Sequence, residues 1–214
     1  MDGIGIRPVL HRMADRIAAD GYYVLLPNLF YRRGRAALSD AAEILKPENR
    51  LKLMDLVLSV TPDRVVRDAE GFFRFLSAQK DASAGSKVGL TGYCMGGSMV
   101  VRIAAHHADR VAAAASFHGG RLVTDAPDSP HRLLGRITTE LYFGHADHDQ
   151  GMPVEAIARL EEALKAAGAR YRTELYTGAL HGFTMADLPV YNQAACEQHW
   201  DRLLDLLRRN LKSV

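Results

Sequence analysis

The sequence predicts an α/β fold, a mostly parallel sheet with helices on both faces. Three observations carry that prediction. Short apolar runs alternate with amphipathic stretches of about a dozen residues, the pattern of strands joined by crossover helices. One run, Val88 to Leu90, turns through Gly92-Tyr93-Cys94-Met95-Gly96-Gly97 into a helical stretch with Met99, Val100, Ile103 and Ala104 at helical spacing. Polar residues gather after the later runs, where ligands of parallel sheets collect beyond the carboxyl ends of the strands.

In order, residues 8–20 predict a helix, with Pro8 at its first position and Val9, Leu10, Met13 and Ile17 on one face, stopped by Gly21. Tyr22 to Leu26 predicts a buried parallel strand ended by Pro27-Asn28. Residues 31–61 are the least regular part. One or two helices are expected over 40–58 with a break near Pro47, and Arg32, Arg33 and Arg35 read as a solvated face rather than a phosphate site. Pro62 to Gln79 predicts a helix with Val65, Val66, Ala69, Phe72, Phe73 and Leu76 inward. Ala82 to Ser86 is a loop. Strands are expected at Arg110–Phe117, Ile137–Gly144 and Arg172–Tyr176, with loop over 121–136. Helices are expected at Pro153–Ala167 and Val190–Leu211. No repeat, low-complexity tract or linker interrupts the chain, so a single domain over 1–214 is expected.

Composition excludes several classes of function. At 214 residues, 48% hydrophobic and 24% charged, the chain can bury one core. A net charge of +2 gives no basic footprint for nucleic acid or a membrane surface, and no apolar run approaches the roughly 18 residues of a spanning helix. The N-terminus lacks the apolar stretch of a signal peptide. Cys94 and Cys196 form neither a C-x-x-C pair nor a zinc pattern, and read as free thiols in a reducing cytoplasm. Phosphate-binding glycine patterns are lacking, so no nucleotide cofactor is expected. His145, Asp147, His148 and Asp149 on one loop are a weak metal signal, and no metal is assigned. His106-His107 read as charges serving a helix C-terminus, and His118, at a strand end, receives no role.

A nucleophile between glycines at a strand-to-helix turn is the pattern of a nucleophile elbow, here with Cys94 in place of serine. The turn strains the nucleophile, and glycine neighbours let strand and helix come close. A sulfur at a helix N-terminus is favoured as thiolate. His181, in a Gly-flanked loop, is the candidate base, and Asp147 and Asp149 compete to orient it. Taken singly, each has a plainer explanation: a small buried cysteine, a surface histidine, a helix-capping aspartate. Together, in the order nucleophile, acid, histidine at successive strand ends, they point to covalent hydrolysis. The Met95 N–H, next after the nucleophile, would receive the oxyanion.

The Gly-Tyr-Cys94-Met-Gly-Gly motif resembles that of the dienelactone hydrolase family, α/β-hydrolases with a cysteine nucleophile. The resemblance extends to Arg7–Leu29, to Tyr142-Phe-Gly-His-Ala-Asp-His-Asp149 and to His181-Gly-Phe183, nearly the whole chain. It implies an esterase or lactonase that acts on a small molecule; beside it, a cytoplasmic protein without a cofactor, and a monomer rather than an oligomer, is expected. In the family the triad acid precedes a proline by four residues, which selects Asp149, before Pro153, over Asp147. It further implies that Gly3 donates the second oxyanion N–H, and that Asp2 stands where a glutamate meets the resting nucleophile. Two departures are visible. The family's first strands lie ahead of what this chain contains: either they were lost by truncation or a mis-set start, or the sheet is shorter, and a non-catalytic or impaired binding domain of the same fold is the alternative reading. The arginine that grips the dienelactone carboxylate, four residues after the histidine, is Met185 here, so the reaction class carries over and the named substrate does not.

Overall fold

The computed structural model describes residues 1–34, 46–83 and 85–211. It falls into two compact units, Met1–Ser86 and Lys87–Val214.

In the first unit, α1 spans Pro8–Ala19 and buries Val9, Leu10, Met13 and Ile17, the predicted face. Proline at N1 suits it because that N–H has no helical acceptor. The predicted strand at Tyr22–Leu26 is corrected: this segment is extended but carries no ladder, and none of its five residues is buried. The apolar run satisfies the pattern of a strand, but a strand exists only through hydrogen bonds to a neighbour, and no described strand pairs with it. Single 3₁₀ turns follow at Tyr31–Arg33 and Pro47–Asn49, then α2 at Arg50–Ser59 and α3 at Pro62–Ser77. The break expected near Pro47 is the second 3₁₀ turn. The part of the expected 40–58 helices before Lys46 lies outside the described residues, as does Arg35. Thr61 caps α3 through its side chain, and Val65, Ala69 and Phe73 are its buried residues, a narrower set than predicted. Arg32 is not simply solvated. Its guanidinium binds both carboxylate oxygens of Asp68 on α3, at 2.7 Å each, and stacks over Tyr31. Arg33 pairs with Asp55.

The second unit holds the sheet: β1 Val88–Tyr93, β2 Val111–Phe117, β3 Glu140–Ala146 and β4 Tyr171–Tyr176, all parallel in the order 1-2-3-4. Helix α4, Met95–His106, connects β1 to β2, α5, Val154–Ala166, connects β3 to β4, and α6, Gln193–Leu211, follows β4. Alanines fill β2 because both its faces are covered; Ala113 and Ala115 are fully buried. A Cβ on Gly89 would lie 2.5 Å from Leu207 of α6, and one on Gly92 would meet the backbone of α4. Residues three apart point to opposite faces of a strand, so these helices cover opposite faces of β1.

Three predicted boundaries move. The loop over 121–136 contains a 3₁₀ segment, Pro130–Arg136, that buries Leu133 and Leu134. β3 starts at Glu140 rather than Ile137, because Ile137 N–H is spent on Leu134 O and the ladder with β2 begins at Ala113–Glu140. α6 starts at Gln193, not Val190, because Asn192 caps it: its Oδ1 accepts Ala195 N–H at 3.0 Å and its carbonyl accepts Cys196 N–H.

Candidate active site

β1 runs directly into Cys94, whose φ of +52° and ψ of −116° lie in a region non-glycine residues rarely occupy. Such strain is of order 1–3 kcal/mol and persists only when the surroundings impose it. Three backbone hydrogen bonds do so. Cys94 N–H donates to Phe117 O, and Cys94 O accepts from Gly97 N–H and Gly120 N–H, all within 3.1–3.2 Å. The turn closes so tightly that a Cβ on Gly92 would sit 2.1 Å from Gly96 O. Helix α4 begins at the next residue, so Met95 N–H is among the first-turn donors that lack an intrahelical acceptor, at the positive end of the helix dipole. Cys94 is half-buried, and neither it nor the buried Cys196 is in a disulfide.

Asp149 and His181 come from the loops after β3 and β4. Asp149 is buried; its Oδ1 accepts Gly151 N–H at 2.7 Å and its Oδ2 lies 2.6 Å from His181 Nδ1. That bond fixes the tautomer and leaves Nε2 of His181 for Cys94. Burial opposes charge on His181, but its hydrogen bonds with Asp149 and Cys94 and the negative charge of Asp149 raise its pKa to about 10. Burial alone would raise Asp149; the bond and charge of His181 and the Gly151 N–H outweigh it and hold the carboxyl below its ordinary value. Asp149 and Cys94 therefore both bear on the His181 imidazole, and both favour its charged form.

Asp147, the alternative acid, does not reach His181. Its Oδ2 accepts Gly178 N–H at 2.9 Å and its own N–H donates to Ala179 O at 2.6 Å, which straps the acid loop to the histidine loop. The Gly178 N–H holds its carboxyl below the ordinary value. His148 is exposed, whereas His145 is buried, and its burial pushes its pKa down to about 4. These four residues therefore face different ways. Asp2 and Gly3 belong to the first unit. There Asp2 is buried and its Oδ1 accepts Ile4 N–H, Gly5 N–H and Arg7 Nη1 at 2.9–3.2 Å.

Two neighbours escape a reading of the sequence. His118 follows β2 at φ +37°, and its ring meets that of His181 edge-on with centroids 5.2 Å apart. Thr184 Oγ1 bonds His118 Nε2 at 2.8 Å. Position at a strand end was the one signal for His118. Thr184 carries none, since a threonine three residues beyond a histidine has no pattern. Met185 is fully buried, so it presents nothing to a substrate.

Comparison with known proteins identifies the family. The sequence pattern of the dienelactone hydrolase family matches residues 1–211. A Methylorubrum extorquens protein named "Putative carboxymethylenebutenolidase" is 29% identical over 210 residues, covering 96% of this chain and 68% of its own. A Bradyrhizobium protein named "Probable 2-oxo-3-(5-oxofuran-2-ylidene)propanoate lactonase" is 24% identical, covering 97% and 80%. Among solved structures, a "Putative Dienelactone Hydrolase" of Klebsiella pneumoniae superposes with a TM-score of 0.83 at 22% identity, over 97% of this chain and 84% of that one. A dienelactone hydrolase-like promiscuous phosphotriesterase from metagenomic libraries gives 0.77 at 21% identity, over 98% and 83%. At those identities the structures speak for the α/β-hydrolase fold, while the family pattern spans nearly every residue: this chain is a member of the dienelactone hydrolase family.

Proposed function

We propose that the chain hydrolyses a small carboxylic ester or lactone through an acyl-Cys94 intermediate, with His181 as acid and base and Asp149 as its orienter. The carrying observation is the array itself: the imidazole of His181 is bonded at 2.6 Å to a buried carboxylate and hydrogen-bonds Cys94, which sits on a strained turn at a helix N-terminus.

The thiolate of Cys94 adds to the substrate carbonyl, and the oxygen takes the negative charge. Met95 N–H receives that charge. The intermediate collapses as His181 Nε2–H protonates the leaving oxygen. His181, now neutral, takes a proton from water, whose hydroxide attacks the thioester; the acid departs and Cys94 returns as thiolate beside the imidazolium. Asp149 stays ionised throughout and stabilises each imidazolium. Water is the one co-reactant the balance requires. One catalytic domain over 1–214, acting as a cytoplasmic monomer, completes the proposal. The family match through residue 211 supports the single domain. No described helix is long and apolar enough to cross a membrane.

The substrate class is kept at ester or lactone because buried Met185 occupies the place of a carboxylate-gripping arginine. Turnover of a small aryl ester by wild type, Cys94→Ala, His181→Ala and Asp149→Asn tests the proposal. Each substitution is expected to lower kcat/KM by roughly a thousandfold or more. Equal rates in all four proteins would sink it and favour a binding role for the fold.

A further inference from the structure

We propose that His118 is a positioning residue: a neutral imidazole, anchored on Thr184, that braces the ring of His181 against Asp149. The inference rests on His181 being the base, as argued above.

His118 is 1% exposed, a polar, titratable residue at φ +37° directly after β2, a conformation that strains any side chain with a Cβ. Its backbone is pinned by its N–H to Gly144 O at 2.7 Å, which fixes where the ring begins. Nε2 bonds Thr184 Oγ1 at 2.8 Å, which fixes where the ring ends. Among the described residues Nδ1 is buried with no side-chain partner, and Thr184 is the side chain that anchors the ring. Between these points the ring lies edge-on against His181, at 5.2 Å and 64°, and against Phe183, at 5.2 Å and 74°. Leaving a ring nitrogen unsatisfied in a buried position is unfavourable, and leucine or phenylalanine would avoid it. A histidine held there is explained by what the anchored ring touches.

The groups facing His118 keep it neutral. Besides burial, the positive edges of His181 and His199 disfavour its charge, and Tyr93 lies ring to ring at 6.0 Å. Neutral His118 can pack against a cationic His181 without repulsion. Thr184 and His181 also share one loop, so the anchor and the braced ring move together. Thr184 O accepts the Cys196 thiol from α6, which ties this loop to the long helix. The brace limits rotation of the His181 ring away from Asp149 and Cys94, the motion that would break the array.

The experiment compares Cys94-dependent hydrolysis of an aryl ester across pH in wild type, Thr184→Val, Thr184→Ser and His118→Asn, each checked for folding by circular dichroism. Thr184→Val keeps shape and removes the anchor; Thr184→Ser keeps the hydroxyl. Thr184→Val is expected to lose about tenfold in kcat with little change in KM, because small misplacements of a catalytic group act on the transition state. Its alkaline limb is expected at lower pH, since a misaligned Asp149 supports the imidazolium less. Thr184→Ser is expected within about twofold of wild type by the same reasoning. His118→Asn, which tolerates positive φ, gives the same readout as Thr184→Val and replaces it if the latter does not fold. Wild-type kcat and pH profile in a folded anchor variant would overturn the brace alone. Wild-type turnover that survives Cys94→Ala would overturn the triad and the brace with it.

Discussion

At the scale of single residues, the contest is between burial and partners. His181 is pushed down by burial and up by Asp149 and Cys94, and the partners win, to about 10. His118 and His145 lack comparable partners, and burial wins. Of these three histidines at strand ends, His181 is therefore favoured as a cation, and His118 and His145 as neutral rings. This gives a signed expectation. In the proposed mechanism the imidazolium of His181 protonates the leaving group, so activity is expected to fall as pH rises through the folded pKa of His181. In Asp149→Asn a leading raising influence is gone, and the alkaline limb of residual kcat/KM is expected at lower pH than in wild type. An unmoved limb would show that Asp149 does not set the protonation of His181.

At the scale of elements, the elbow depends on how closely a strand and a helix approach. A Cβ on Gly92 would stand 2.1 Å from Gly96 O and 2.4 Å from its carbonyl carbon, both backbone atoms that cannot yield without opening the turn. On Gly89 it would meet the methyl ends of Leu207 and Leu211, which can rotate. Gly92→Ala is therefore expected to destabilise by about 3 kcal/mol or more and to abolish turnover, whereas Gly89→Ala costs about 1 kcal/mol and leaves turnover close to wild type. Urea midpoints with unchanged slope measure both. Equal destabilisation by the two substitutions would contradict the distinction between rigid and flexible neighbours. Asp147 acts at this scale too, as the strap between the loops after β3 and β4.

For the whole molecule, the Asp149–His181 pair links the site to folding stability. Asp149 is depressed in the folded state, so its contribution is complete above its ordinary value of 3.8 and is lost as pH falls through the lower folded value. His181 is raised, so its contribution is complete below 6.5 and is lost as pH rises toward about 10. Both are fully present only between those ordinary values. The difference in Tm between wild type and His181→Ala is expected to be largest near pH ~5 and to shrink on either side. A difference that grows steadily from acid to alkaline pH would show that the pair is not coupled to folding in this way.

What the sequence by itself determined is what local chemistry determines. The glycines around Cys94 permit a turn that other residues would block, Pro8 and the Val9–Ile17 spacing make an amphipathic helix, and Asp149 precedes Pro153 at the family's interval. These signals need no partner, so they are visible in one dimension. Tertiary structure decided whatever depends on a second element. Tyr22–Leu26 has the composition of a strand but lacks a described ladder, α6 begins at Gln193 because the side chain of Asn192 finds the Ala195 amide to cap, and Asp147 is spent on Gly178 rather than His181. The brace is the clearest case. His118, Thr184 and His181 are separated along the chain by as many as 66 residues, and only the register of β2, β3 and β4 brings them to one place. Hydrogen-bond partners and burial are set by neighbours in space, and the roles of such residues follow from those neighbours.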